Sequence, residues 1–188
     1  MFPIKLKSAI KKTLCEGGII AYPTESIWGL GADPHNETAV MRILKIKKRD
    51  VKKGLILIAA NFAQIKPFIK TLPKNKLAKI LKTWPGPTTW VLPASKNAPK
   101  WITGAHDSIA VRITSHKIAK EICKIYGKAI VSTSANISNQ KPAHTKAEVL
   151  KALKQFKTNI DLIIPGKTGG FKKPSQIISA KTGEIIRF

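Results

Sequence analysis

Short strand-like runs and helix-period runs alternate along nearly the whole of this chain, and that alternation restricts it to an α/β architecture around a mixed sheet. Apolar and β-branched runs predict strands at 18–22, 54–60, 88–92, 108–113, 129–134, 161–164, 176–179 and 184–187. Apolar residues at helical spacing predict helices at about 4–15, 37–48, 74–83, 116–126 and 145–156. Pro/Gly clusters at 84–87 and 165–170 read as ordered turns between these elements. No repeat or linker interrupts the pattern, and 188 residues suffice for one core, so a single domain over residues 1–188 is expected.

Several function classes are excluded at this level. No apolar stretch approaches the roughly 18 residues that cross a bilayer, and lysines run through the first fourteen residues where a signal peptide needs an apolar centre. A cytoplasmic protein that does not engage a membrane is expected. Cys15 and Cys123 stand far apart and read as buried thiols rather than a redox or zinc pair. His35, His106, His116 and His144 show no ligand spacing, so no metal site is assigned to protein side chains. Thirty-four Lys and Arg against ten Asp and Glu give a net charge of +24, a field that attracts phosphate in RNA or in nucleotides. Lysines at solvated positions would give the same number, so charge alone selects no function.

Five segments carry polar groups that a plain core would not need. In Tyr22-Pro-Thr24-Glu-Ser26, leading to Trp28-Gly-Leu-Gly31, a strand ends and the following loop offers the Thr24 hydroxyl, with glycines that permit close approach of a ligand; a plain turn is the simpler reading of this pattern alone. In the helix before the basic run 42–53, Val40, Ile43 and Leu44 form an inward stripe that Lys47 continues, while Lys45 and Lys48 face water. Arg49 and Lys53 follow, and a solvated charge run is the alternative. Lys47 and Arg49 sit at a helix end, so folding is expected to survive their replacement by alanine.

Strand alternation over 108–113 puts Ser108 and Arg112 on one face, where a guanidinium fork suits a carboxylate or phosphate; pairing with a neighbouring acid is the alternative. Ser132, Ser134 and Asn136 likewise share a face and make a better site wall than core, unless they belong to a turn. Gly166-Lys-Thr168 in the last segment imitates the end of a P-loop, but Asp161 occupies the position where that motif requires glycine.

In order and spacing these segments resemble the YrdC/TsaC family of threonylcarbamoyl-adenylate synthases. The carriers are the Pro-Thr-Glu-Ser loop, Lys47-x-Arg49, Trp84-Pro-Gly-Pro-Thr88, Ala110-Val-Arg112, Ser134-Ala-Asn136 and Thr168-Gly-Gly170. The resemblance runs from about Leu6 to the C-terminus and implies a twisted mixed sheet with flanking helices around a deep basic cavity. It implies a nucleotidyltransferase that joins L-threonine, bicarbonate and ATP, with Mg2+ accompanying the ATP, into threonylcarbamoyl-AMP and pyrophosphate. A transferase complex would then pass the threonylcarbamoyl group to the adenosine beside the anticodon of tRNAs that read codons starting with A.

By the same resemblance Lys47 and Arg49 are catalytic. Arg49, Lys53, Ser108, Ser134, Asn136 and Arg187 would bind the nucleotide, and Thr24, Arg112, Ser132 and Ser175 the threonine. The chain departs from the family at Ile58, where longer members carry a histidine, at Gly54 in place of proline, and at Asn139 in place of glycine. It matches the short bacterial form. The rival expectation is a non-catalytic module for double-stranded RNA or tRNA; direct but weak tRNA binding is compatible with either.

Overall fold

The structure, a computed structural model, describes residues 2–137, 141–156, 160–171 and 175–187, with side chains described for all of these except 153–156. Asn139 and Lys173-Pro174, singled out in the sequence, lie outside the described residues. Nine strands form one sheet in the order β7-β1-β2-β6-β3-β5-β4-β8-β9. They are β1 Ile20–Pro23, β2 Trp28–Gly31, β3 Ile56–Ala59, β4 Thr88–Pro93, β5 Ser108–Ile113, β6 Ile130–Ser134, β7 Leu162–Ile163, β8 Gln176–Ser179 and β9 Ile185–Arg187. Pairs β1·β7, β3·β5 and β4·β8 are parallel, and the remaining five are antiparallel. The sheet is mixed, as the alternation predicts.

Helices cover both faces. Helix α1 (Ile4–Cys15) and α6 (Lys117–Tyr126) bury Ile10, Leu14, Ala119 and Ile122 against Ile20, Tyr22, Ile58 and Ile130. Helix α2 (Glu37–Lys47) packs Val40, Ile43 and Leu44 into the other cluster, with Leu30, Leu57, Val111 and Val131. The register sets Ile58 between Ile130 and Arg112, and Ile56 between Ser132 and Ala110. Directly paired residues project to the same side, so one sheet face is apolar at Ile58 and Ile130 and turns polar at Ser132 and Ser134. The polar end of that face opens into the cavity described below.

The remaining helices are α3 (Phe62–Ile65), α4 (Lys74–Leu81), α5 (Lys100–Thr103) and α7 (Lys146–Phe156). Helices α3 and α5 have four residues each, too few to show a period in the sequence. Strand β2 corrects the reading of 28–31 as a loop: it hairpins onto β1 and pairs with Gly29 opposite Ser134 on β6. Its glycines serve the sheet. A Cβ on Gly31 would come within 2.9 Å of the Tyr22 ring and 3.0 Å of the Val131 carbonyl oxygen. Cys15 is exposed rather than buried, because the buried stripe of α1 runs through Ile10 and Leu14 and Cys15 falls off it; Cys123 is buried.

Candidate active site

The basic segment after α2 is organised around Lys47. Asn36 caps this helix, its Oδ1 accepting from Ala39 N at 2.9 Å, and the apolar stripe fixes the helical phase. Lys47 falls on that stripe and is 2% exposed. Its ammonium donates to the main-chain oxygens of Ser134 at 2.6 Å and Asn136 at 2.8 Å, with Asn136 Oδ1 at 3.2 Å and Ser134 Oγ at 3.3 Å. Three ammonium protons therefore face four acceptors, all supplied by the 134–136 turn. Burial, and secondarily the Arg49 guanidinium, pulls the Lys47 pKa down to about 8. Lys45 and Lys48 are exposed, as the helical phase predicts, and Lys48 ends the helix in the left-handed region at φ 48°. The reading of Lys47 as a helix-end residue outside the core is corrected here: it is buried, and its removal would take a charged donor from the Ser134 and Asn136 oxygens.

Arg49 returns towards the sheet, donating from Nε at 3.3 Å and Nη2 at 3.0 Å to the oxygen of Gly54. Those bonds hold the guanidinium against the start of the next strand and leave Nη1 outside them. Lys53 stands at the end of the short Val51–Lys53 turn, and Arg187 arrives from β9, its Nη2 donating to Ser175 O at 3.3 Å. Ser175 Oγ lies 3.4 Å from Thr89 Oγ1.

Opposite these cations the β1–β2 hairpin presents Thr24 and Glu25. Thr24 Oγ1 donates to Ile27 O at 2.7 Å, so its lone pairs are what it can offer a ligand. Glu25 and Arg112 are 4% and 7% exposed and form a buried ion pair, Arg112 Nη2 to Glu25 Oε2 at 3.3 Å. Glu25 Oε1 accepts from Thr114 Oγ1 at 2.6 Å. Oε2 lacks an aligned hydrogen bond, as does Arg112 Nε, so the pair is held by charge more than by a matched fork. Burial pushes the Glu25 carboxyl up, but the Arg112 guanidinium and the Thr114 hydroxyl outweigh it and hold the pKa below its ordinary value.

Thr24, Lys47, Arg49, Lys53, Arg112, Ser132, Ser134, Asn136, Ser175 and Arg187 all line one cavity of about 340 Å³. Ser108 does not: it sits four residues from Arg112 at the far end of β5, opposite Pro93, so strand alternation assigns its face correctly but not its distance. Sequence reasoning missed Glu25 as the partner of Arg112. The signal was present, because an arginine inside a strand needs a counter-charge and Glu25 was one of only ten acids. The arrangement offers several cations for phosphate, a buried guanidinium for a carboxylate, and a hydroxyl-lined floor between them.

The profile of the Sua5/YciO/YrdC family, described as telomere recombination, matches residues 12–188. The chain is similar to the threonylcarbamoyl-AMP synthase of Halorhodospira halophila, 45% identical over 98% of this chain and 95% of that protein. It is 50% identical to the enzyme of that name from Klebsiella pneumoniae, over 90% of this chain and 88% of the other. The solved P. abyssi Sua5 complexed with L-threonine superposes with a TM-score of 0.84 at 34% identity, covering 93% of this chain and half (50%) of the Sua5 chain. E. coli YciO shares the fold, with a TM-score of 0.83 at 22% identity over 97% of this chain and 88% of YciO.

Proposed function

This chain belongs to the Sua5/YciO/YrdC family, and from that premise we infer that it is a threonylcarbamoyl-AMP synthase making the adenylate and pyrophosphate from L-threonine, bicarbonate and ATP. The observation that carries this reading is the convergence of buried Lys47, Arg112, Ser132 and Ser175 on one cavity that also holds Arg49, Lys53 and Arg187. A non-catalytic RNA module would account for the net charge but gives no reason to bury two cations beside hydroxyls in a cavity.

The division of labour follows from the hydrogen bonds. Lys47 spends its protons on the 134–136 turn, so it shapes the wall on which Ser134 and Asn136 meet the nucleotide. The triphosphate charge then falls to Arg49, Lys53 and Arg187, which would neutralise the pyrophosphate as it leaves. Arg112 takes the threonine carboxylate, Thr24 accepts from the amine, and Ser132 and Ser175 surround the rest of the amino acid. The amine attacks the bicarbonate carbon and water is lost, giving the carbamate. A carbamate oxygen then attacks the α-phosphorus, breaking its bond to the bridging oxygen and releasing pyrophosphate. Rate enhancement comes from positioning and electrostatics. Mg2+ would enter with the triphosphate; among the described residues no three His, Cys, Asp or Glu side chains group to hold it.

Residues 1–188 act in this reading as one unit, in the cytoplasm. The adenylate passes to a threonylcarbamoyl-transferase complex, with at most weak direct tRNA contact. Among the described residues no helix is long and apolar enough to cross a membrane. The deciding experiment is pyrophosphate release by the pure protein with ATP, L-threonine and bicarbonate, leaving out each in turn. Release that continues without threonine or bicarbonate would overturn the assignment.

A further inference from the structure

Tyr22 is fully buried and does not line the cavity, yet its hydroxyl donates to Ser132 Oγ at 2.8 Å. Burial raises the tyrosine pKa, so the proton that this bond donates stays on the ring oxygen. Glycine at 31 admits the ring, since a Cβ there would stand 2.9 Å from Cε1. A serine hydroxyl has one proton and two lone pairs. With one lone pair taken by Tyr22, the Ser132 proton has no acceptor among the described residues, and Ser132 lines the cavity at 7% exposure.

The neighbouring hydroxyls are differently committed. Thr24 donates to Ile27 O, Ser175 Oγ is paired with Thr89 Oγ1, either hydroxyl able to donate, and Ser134 lies at the Lys47 end of the wall. Ser132 instead shares a cross-strand row with Ile56 and Ala110, one row along from Ile58 and Arg112. Ile58, beside Arg112, is buried and apolar and offers nothing polar to a ligand. A small amino acid with its carboxylate on Arg112 has one other oxygen to present towards Ser132.

We propose that Tyr22 is a positioning residue that fixes Ser132 as a hydrogen-bond donor to the side-chain hydroxyl oxygen of the amino-acid substrate. Together they set the preference for a β-hydroxy amino acid over its deoxy analogue. This rests on the threonine reading given above.

The test is calorimetric titration of L-threonine and L-2-aminobutyrate into the full chain, as wild type, Tyr22→Phe and Ser132→Ala, with ATP binding measured alongside. Wild type should prefer threonine by roughly tenfold, the worth of one well-placed neutral hydrogen bond. Tyr22→Phe should remove most of that preference by weakening threonine alone, leaving 2-aminobutyrate and ATP within about twofold. Ser132→Ala should do the same and serves if Tyr22→Phe does not fold. Equal weakening of both amino acids would show a merely structural tyrosine and overturn the proposal, as would retained preference in both variants or no preference in wild type. A wild type that binds threonine selectively but makes no adenylate would instead overturn the function reading alone.

Discussion

The Lys47 ammonium lies 2.6 Å from the main-chain oxygen of Ser134, closer than any other polar contact of that lysine. A residue at a helix end thus fastens the turn after β6, and the geometry of the nucleotide wall depends on it.

Lys47→Met keeps the aliphatic stem and removes the donor. The main-chain oxygens of Ser134 and Asn136 each lose a charged donor, Ser134 O keeping the Asn136 amide at 2.9 Å, which should cost about 2–3 kcal/mol. Thermal unfolding should show a fall of roughly 5–10 °C, together with loss of adenylate formation. Wild-type melting with lost activity would mean that Lys47 acts on the substrate and not on the turn.

The pH dependence follows from the same ammonium. Its pKa is depressed from 10.5 to about 8 in the folded protein. Between those values the unfolded chain binds more protons than the native one, so raising pH through this window relieves a destabilisation and the Lys47 term favours the fold. Triphosphate nearby favours the charged form. ATP binding above about pH 8 should therefore take up a proton and weaken as pH rises, as calorimetry in buffers of different ionisation enthalpy can register.

Glu25 and Arg112 are a buried pair, and removing one member strands the other. Glu25→Gln should destabilise by about 3 kcal/mol, and the double change Glu25→Gln with Arg112→Gln should recover part of it. Since the Glu25 pKa is lowered, the pair's contribution is present at neutral pH and is lost as pH falls through that folded value. Arg112→Lys should raise the threonine KM at least about tenfold with little effect on ATP, because an ammonium cannot reproduce the fork. A rise of equal size for both substrates would misplace Arg112.

Outward lysines should serve nucleic acid and not catalysis. Lys45 and Lys48 are exposed, and Lys48 has φ 48°, so Lys45→Gln with Lys48→Asn removes both charges without straining the backbone. The double variant should bind tRNA more weakly, with a slope of log affinity against log salt that is shallower by about 0.9 for each phosphate no longer neutralised. Adenylate synthesis should stay within about twofold. Synthesis that collapses with tRNA binding would place the outer charge inside the active site.

The sequence exposed what periodicity can expose. Strands 108–113 and 176–179 and the helix at 4–15 coincide with the folded elements because their apolar spacing is local and strong. Strand β2 was missed because two of its four residues are glycine, a poor strand former, and it exists only through pairing with β1 and β6. The same distinction runs through the site. Helical phase reveals that Lys47 points inward, but its acceptors on Ser134 and Asn136 belong to a distant segment. Glu25 and Arg112 each look like isolated polar residues until the hairpin carries one beside the other. Ser108 marks the converse limit, a residue on the correct face at too great a distance.

Arg187 reaches the cavity from β9, the outermost strand, whose three residues are all exposed and which is held through β8 alone among the named strands. Outer strands open at a fraction of the free energy of the whole fold. The amides of Ile185–Arg187 should therefore exchange with solvent far faster than those of β3 or β6, and ATP engaging Arg187 should slow them selectively. Slowing confined to Ile185–Arg187, with β3 and β6 unchanged, would mark this edge of the cavity as the way in and out for the nucleotide, with no unfolding of the sheet.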